Sequence, residues 1–184
     1  MERPNITPLT LPDLATYVDH RLRQFGESGQ GGTPPSHFFG ADEGPTAERL
    51  HAERTDGWSK PVSAPGWRRA WGAWVDGALM GHLELRGATH RAALHRATLG
   101  MGVERRFQGA GLGTRLMEEA LTWARAEPSL HWIDLGVFAD NQPALRLYAK
   151  RGFVECGRVE DAFRINDSSI TALQLCLRVD GDTL

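Results

Sequence analysis

Apolar residues recur at helical spacing from Pro12 to Phe25, with Leu14, Val18, Leu22 and Phe25 on one face and Gly26 placed to stop the helix. The periodicity then lapses. Glu27 to Gly66 is rich in Gly, Pro and Ser, and only Thr46 to Thr55 predicts a short helix. Some ~40 loosely structured residues inside a compact domain are uncommon unless they serve a function. Beyond Gly66 the period falls to two. Trp71 to Val75 and Ala78 to Leu85 predict strands joined at Asp76-Gly77, a strong hairpin signal. Ala92 to Val103 predicts a third, longer strand. Leu112 to Ala126 predicts a helix with Leu116, Ala120 and Ala124 on one stripe, Met117 and Leu121 beside it, and Pro128 past its end. A strand over His131 to Val137 and a helix over Asn141 to Arg151, stopped by Gly152, follow. Strands over Phe153 to Ile165 and Ser169 to Val179 close the chain. This order implies an α/β (α+β) fold: a mixed sheet with helices on both faces.

Composition narrows the options. A chain of 184 residues is long enough for a real core and predicts a single domain over residues 1–184. The formal net charge of −2 gives no general attraction to nucleic acid or anionic membrane, so neither is expected as a partner. No apolar run approaches the ~18 residues of a membrane span. The segment Met1 to Asn5 lacks the apolar centre of a signal peptide, and a cytoplasmic location is expected. Cys156 and Cys176 have no metal-type spacing and predict a reduced pair buried in strands. His51-Ala52-Glu53-Arg54-Thr55 is not a His-Glu-x-x-His zinc motif, and no metal is expected.

The most informative stretch lies between the third strand and its helix: Val103-Glu104-Arg105-Arg106-Phe107-Gln108-Gly109-Ala110-Gly111-Leu112-Gly113-Thr114. Glycines at alternate positions leave backbone N–H groups free to converge at a helix start, where unpaired donors and a partial positive charge favour a phosphate. A Walker loop needs Gly-Lys-Ser/Thr, and Gly113 is followed by Thr114-Arg115. A dinucleotide fingerprint needs a third glycine where Thr114 stands. Gln108, Gly111 and Gly113 instead fit Gln-x-x-Gly-x-Gly. Downstream, Asn141, Ala144, Leu147, Tyr148, Gly152 and Phe153 fit Asn-x-x-Ala-x-x-Leu-Tyr-x-x-x-Gly-Phe. The two blocks, in this order, resemble the GNAT N-acetyltransferase superfamily. The clear resemblance covers Leu94 to Gly157.

The resemblance implies a mostly antiparallel central sheet of about six to seven strands and acetyl-CoA as cosubstrate. It implies that the main chain of Met101, Gly102 and Val103 holds pantetheine and polarises the thioester carbonyl. It places the pyrophosphate on Gln108, Gly109, Ala110, Gly111, Leu112, Gly113 and Thr114, with Arg105 or Arg106 near the 3′-phosphate. Asn141 is expected to cap its helix, to touch the pantetheine, or both. Tyr148, two turns further on, is the candidate general acid for the leaving thiolate. Many members carry a glutamate on the strand before the loop. Here no Asp or Glu occurs between Arg86 and Val103, and Thr98 stands at about that place. Glu84, His82 and His95 are candidate substitutes, and a water chain with no dedicated base is the other reading. Gly100 and Gly102 mark either a ligand's approach or a helix packed close to the strand.

The implied activity is direct acetyl transfer to a primary amine of a small molecule or peptide. Its rivals are transfer of another acyl chain or to a hydroxyl, and a non-catalytic acyl-CoA-binding module. His37-Phe38-Phe39 and Trp58 are candidate lid or pocket residues, with surface packing as the other reading; Asp161, Arg164 and Asp167 are candidate contacts for a charged acceptor, with a solvated hairpin the favoured reading. A homodimer is expected by analogy alone.

Overall fold

The computed structural model describes residues 4–28, 44–165 and 168–181. A seven-stranded sheet runs β1 (Asn5–Pro8), β2 (Arg68–Val75), β3 (Ala78–Gly87), β4 (Arg96–Val103), β5 (Trp132–Phe138), β7 (Ser168–Arg178), β6 (Val154–Ile165) across its width. Every neighbouring pair is antiparallel except β4–β5. Asp76 and Gly77 both take positive φ in the β2–β3 turn, as a two-residue hairpin of this hand requires.

Helices cover both faces. On one, α3 (Leu112–Ala126) buries Leu112, Leu116, Met117, Ala120, Leu121 and Ala124 against Trp71, Leu83 and Leu85. Tyr148 of α4 (Gln142–Lys150) joins that core. On the other, α1 (Leu14–Glu27) and α2 (Ala47–Ser59) pack Leu14, Tyr17, Val18 and Leu50 over Ala70 and Leu79. Side chains alternate between the two cores along β2, and a register shift between Ala73 and Trp74 moves Leu79 of β3 to the core opposite Leu83 and Leu85.

Several boundaries differ from expectation. α1 passes through Gly26 to Glu27, because a helix already docked on the sheet tolerates one glycine. α2 is longer than predicted: Thr46 caps it, accepting from Arg49 N at 3.3 Å, and Trp58 in its last turn packs on Tyr17. β4 begins only at Arg96, since Arg91–Ala93 forms a 3-10 turn. β1 was not anticipated; it is four residues long, ends in proline, and survives as an edge strand by pairing with β2. Of the two cysteines only Cys176 is buried. Cys156 is exposed on the adjoining edge strand, and both are free thiols. No helix among the described residues is long and apolar enough to cross a membrane.

Candidate active site

The site begins where the sheet opens. β4 and β5 pair over only Arg96–Trp132, Ala97–Ile133 and Thr98–Asp134. Further along, β4 stays on β3 as far as Val103, and β5 stays on β7 as far as Phe138. The two strands therefore part after Thr98 and Asp134. A cleft of about 900 Å³ opens there, with Gly100 to Val103 on one wall and Gly136 to Phe138 on the other. The parted edges have no ladder partner across the gap. An extended, amide-bearing chain can take that place as an added strand does.

At the mouth of the cleft the glycine loop turns into α3. Gly109 and Gly111 have φ of +77° and +80°, a conformation that disfavours any residue with a Cβ. Nothing lies within 4 Å of where a Cβ would stand at either position, so the requirement is conformational and the space above the loop is open. Gly111 is the N-cap of α3, and no side chain caps that end. The first N–H groups of α3 are thus available to an anion. Gln108 ties the loop back, its Nε2 donating to the Val103 carbonyl at 3.1 Å. Leu112 is buried, and Gly113 lies against Leu147 and Met101. Ala110 does not line the cleft; the other expected loop residues do. Arg105 and Arg106 are engaged elsewhere, Arg105 with Glu27 and Arg106 with the Met80 sulfur and Glu104.

Asn141 caps α4, its Oδ1 accepting from Ala144 N at 3.3 Å, and it also lines the cleft, so both of its expected roles are geometrically open. Tyr148 lines the cleft from the same helix and packs on Phe153. Burial pushes its hydroxyl up to about 12, and the phenol stays protonated at neutral pH.

The inner half of the cleft lies under α1 and α2. Its floor follows from register. Opposed residues in an antiparallel pair share a face, so Glu84 and Gly100 look the same way, as do Arg86 and Thr98, and Arg68 beside Arg86. Gly100 has nothing within 4 Å of a would-be Cβ, whereas a Cβ on Gly102 would collide with Gln24. The two strand glycines therefore have different causes: an open cleft at Gly100, a helix packed close at Gly102. Glu84 is buried. Its Oε2 accepts from Arg68 at 2.7 Å and from Arg54 at 3.3 Å, and its Oε1 accepts from the Trp58 indole at 3.3 Å. Trp58 thus supports the cleft from behind. Thr98 sits where the parting starts.

Beside this floor lies a buried polar chain. Arg21 can only donate, so His82 Nε2 accepts from it. His82 Nδ1 then carries hydrogen and donates to His20 Nε2 at 3.0 Å, and His20 Nδ1 donates to Glu104 at 3.2 Å. Burial lowers the His20 pKa, partly offset by Glu104, which agrees with a neutral ring. His95 is not part of the site. It is exposed before β4, its carbonyl accepting from His131 N and Trp132 N, at the far end of the strand from the loop. Asp161 and Arg164 pair with each other on the exposed β6–β7 hairpin, and neither lines the cleft. His37, Phe38, Phe39 and Asp167 lie outside the described residues. Among the described residues no group of three or more His, Cys, Asp or Glu is placed to hold a metal ion.

Residues 34–153 match the model of the Acetyltransferase (GNAT) family. The chain belongs to that family. Among solved GNAT-fold structures, it overlays an acetyltransferase of the GNAT family from Streptococcus pneumoniae with a TM-score of 0.79 at 23% identity, covering 96% of this chain and 99% of that one. It overlays yncA from Salmonella typhimurium, solved with its cofactor acetyl-CoA, with a TM-score of 0.77 at 14% identity, covering 100% and 98% of the two chains. In sequence it is 34% identical over 85 residues to the L-amino acid N-acetyltransferase AaaT of Escherichia coli, 44% of this chain and 50% of that protein. It is 29% identical over 102 residues to the spermidine N(1)-acetyltransferase of Escherichia coli, 55% of this chain and 54% of that protein. The matches thus span about half the length of these curated relatives.

Sequence reasoning named the motif residues Gln108, Gly111, Gly113, Asn141, Ala144, Leu147 and Tyr148, which line one half of the cleft. It missed the arginines of the other half: Arg21, Arg49, Arg54, Arg68 and Arg86, all lining the cleft. One signal was legible, the polar alternation His82, Glu84, Arg86 on an otherwise apolar strand. The others come from separate elements and carry no common spacing.

Proposed function

We propose that this protein is an acetyl-CoA-dependent N-acetyltransferase that acts on a primary amine of a small molecule. The observation that carries the reading is the parting of β4 and β5 directly beside an uncapped, glycine-lined helix start. Main chain of Met101, Gly102 and Val103 would hold the pantetheine arm, and the loop from Gln108 to Thr114, Ala110 excepted, would hold the diphosphate. Acetyl-CoA supplies the activated acyl group. The protein's share is then to orient, to exclude water and to manage protons. Gly100 leaves room for the acceptor amine beside the thioester, so proximity supplies much of the rate. An N–H of the open β4 edge aimed at the carbonyl oxygen would stabilise the charge that develops there. Tyr148 would donate to the departing sulfur, and the proton it retains at neutral pH suits that role. AaaT and the spermidine enzyme are both named for small amine substrates, which supports this acceptor class.

Glu84 sits across the ladder from Gly100, the right neighbourhood for a base, but three donors already occupy its oxygens. We assign it to anchoring Arg54 and Arg68. The saturated carboxylate is also what favours the second reading, an acyl-CoA-binding module without turnover. Free-thiol release from acetyl-CoA across an amine panel, beside calorimetry of acetyl-CoA binding, separates the two. Turnover with any amine supports the enzyme. Tight binding with no turnover supports the module, and no binding removes both.

A further inference from the structure

We propose that the acceptor carries a carboxylate close to its amino group, and that Arg86 holds it. This rests on reading the protein as an N-acetyltransferase and names the substrate class of the same cleft.

Among the described residues, the cleft is lined by five guanidiniums and two carboxylates, an excess of three positive charges. Both carboxylates are fully used. Glu84 binds Arg54 and Arg68, and Glu53 binds Arg49, Arg54 and Arg68. Arg86 is left with no ion pair or hydrogen bond among the described residues, although it is exposed to the cleft beside Thr98, where β4 and β5 begin to part. Partial desolvation and then the like charge of Arg68 lower its pKa, as expected for a cation with no counterion. Arg21, on the helix above, has no carboxylate partner among the described residues either; it donates to His82 and lies over Phe25.

A planar guanidinium with free N–H groups facing a partly dry cleft matches a carboxylate in two parallel hydrogen bonds. A second ammonium, as in a polyamine, would meet net repulsion, because Glu53 and Glu84 are already neutralised. The same positive field disfavours the ammonium form of the acceptor amine. It therefore helps to present a neutral nucleophile on a strand that supplies no carboxylate base, since β4 contains neither Asp nor Glu. The anion and the amine must lie close together, because Thr98 and Gly100 are only two residues apart on one face of β4.

The test compares common L-amino acids with their amides, which keep the amine and lose the charge, and with spermidine. Thiol release is followed at saturating acetyl-CoA, and equilibrium dialysis measures binding of labelled amino acid and amide to protein loaded with coenzyme A. We expect kcat/KM for at least one amino acid to exceed that of its amide by about tenfold or more. Arg86→Gln should lower kcat/KM for that acid by about tenfold to a hundredfold, mostly through KM, with the amide and acetyl-CoA affinity unchanged. Arg86→Lys should recover part of the loss. Amides or spermidine used as well as acids, or an Arg86→Gln defect shared equally by acid and amide, would overturn the proposal. Arg86-dependent binding of the acid without turnover would leave the carboxylate site standing and remove the enzymatic reading. Turnover without preference for the acid would do the reverse, and failure of both acid and amide to bind would end the carboxylate site.

Discussion

Two side chains in the cleft owe their expected behaviour to opposite environments. Tyr148 has no charged neighbour that shifts it; burial alone holds its proton up to about 12. Tyr148→Phe removes one oxygen from an otherwise packed site. It should lower kcat by about a hundredfold if the phenol donates to the leaving sulfur, with acetyl-CoA affinity by calorimetry nearly unchanged. An equal loss in both would assign Tyr148 to binding. The wild-type rate should also show no loss from phenol ionisation up to pH 10. Glu84 is surrounded by charge, with two guanidiniums and an indole N–H on a carboxylate only 8% exposed. Glu84→Gln takes the buried carboxylate away from Arg54 and Arg68 and leaves both to the more exposed Glu53. It should cost about 3 kcal/mol in denaturant unfolding. Arg86→Gln, which breaks no ion pair or hydrogen bond among the described residues, should leave stability nearly untouched.

At the scale of elements, the start of α3 and the parting of β4 from β5 form one device. The loop needs positive φ at Gly109 and Gly111 to bring the helix N-terminus over the open strand edges. Alanine fits the empty space there but not the backbone. Gly111→Ala should therefore cost about 1–2 kcal/mol of stability and weaken acetyl-CoA binding, while Gly111→Asn, which tolerates this conformation, should recover part of both. Thermal melts with and without acetyl-CoA read the two effects separately. Equal affinity in all three proteins would show that the loop does not hold the diphosphate. The motif that named this device, Gln108 with Gly111 and Gly113, was legible because it is local. α2 was only half legible, because its last turn is held by Trp58 on Tyr17 and by Gly57 against Arg68, contacts contributed by α1 and β2.

For the molecule as a whole, the sheet separates two cores, and the polar chain His82–His20–Glu104 lies on the α1 side. Burial depresses the His20 pKa, so the unfolded chain takes up a proton near pH 6.5 that the folded protein refuses. The stability due to neutral His20 is complete above about pH 6.5 and is lost as pH falls through the depressed value. The melting temperature should be level from pH 8 to pH 7 and fall between pH 6.5 and pH 5. That precedes the loss from paired carboxylates such as Glu53, whose lowered pKa lies below an ordinary value of 4.5. His20→Gln should lower stability at pH 8 and flatten the slope between pH 6.5 and pH 5; an unchanged slope would assign it to another group.

The sequence alone determined what depends on neighbours along the chain. The hairpin at Asp76-Gly77, the length of α3, the αL glycines and the two motif blocks are local matters of φ, ψ and period. They were enough for a mixed sheet, for the family and for the half of the cleft lined by the two motif blocks. Only the tertiary structure decided the other half. Whether Glu84 is a free base or an anchor depends on arginines brought from α2 and β2. That Arg86 is left without an ion pair or hydrogen bond among the described residues depends on a count of charges across four elements. His95 and Glu84 looked alike as polar residues near the same strand; register set one across from Gly100 and left the other outside the site. Pairing of charges across a fold is set by distance and desolvation, and neither has a period along the chain.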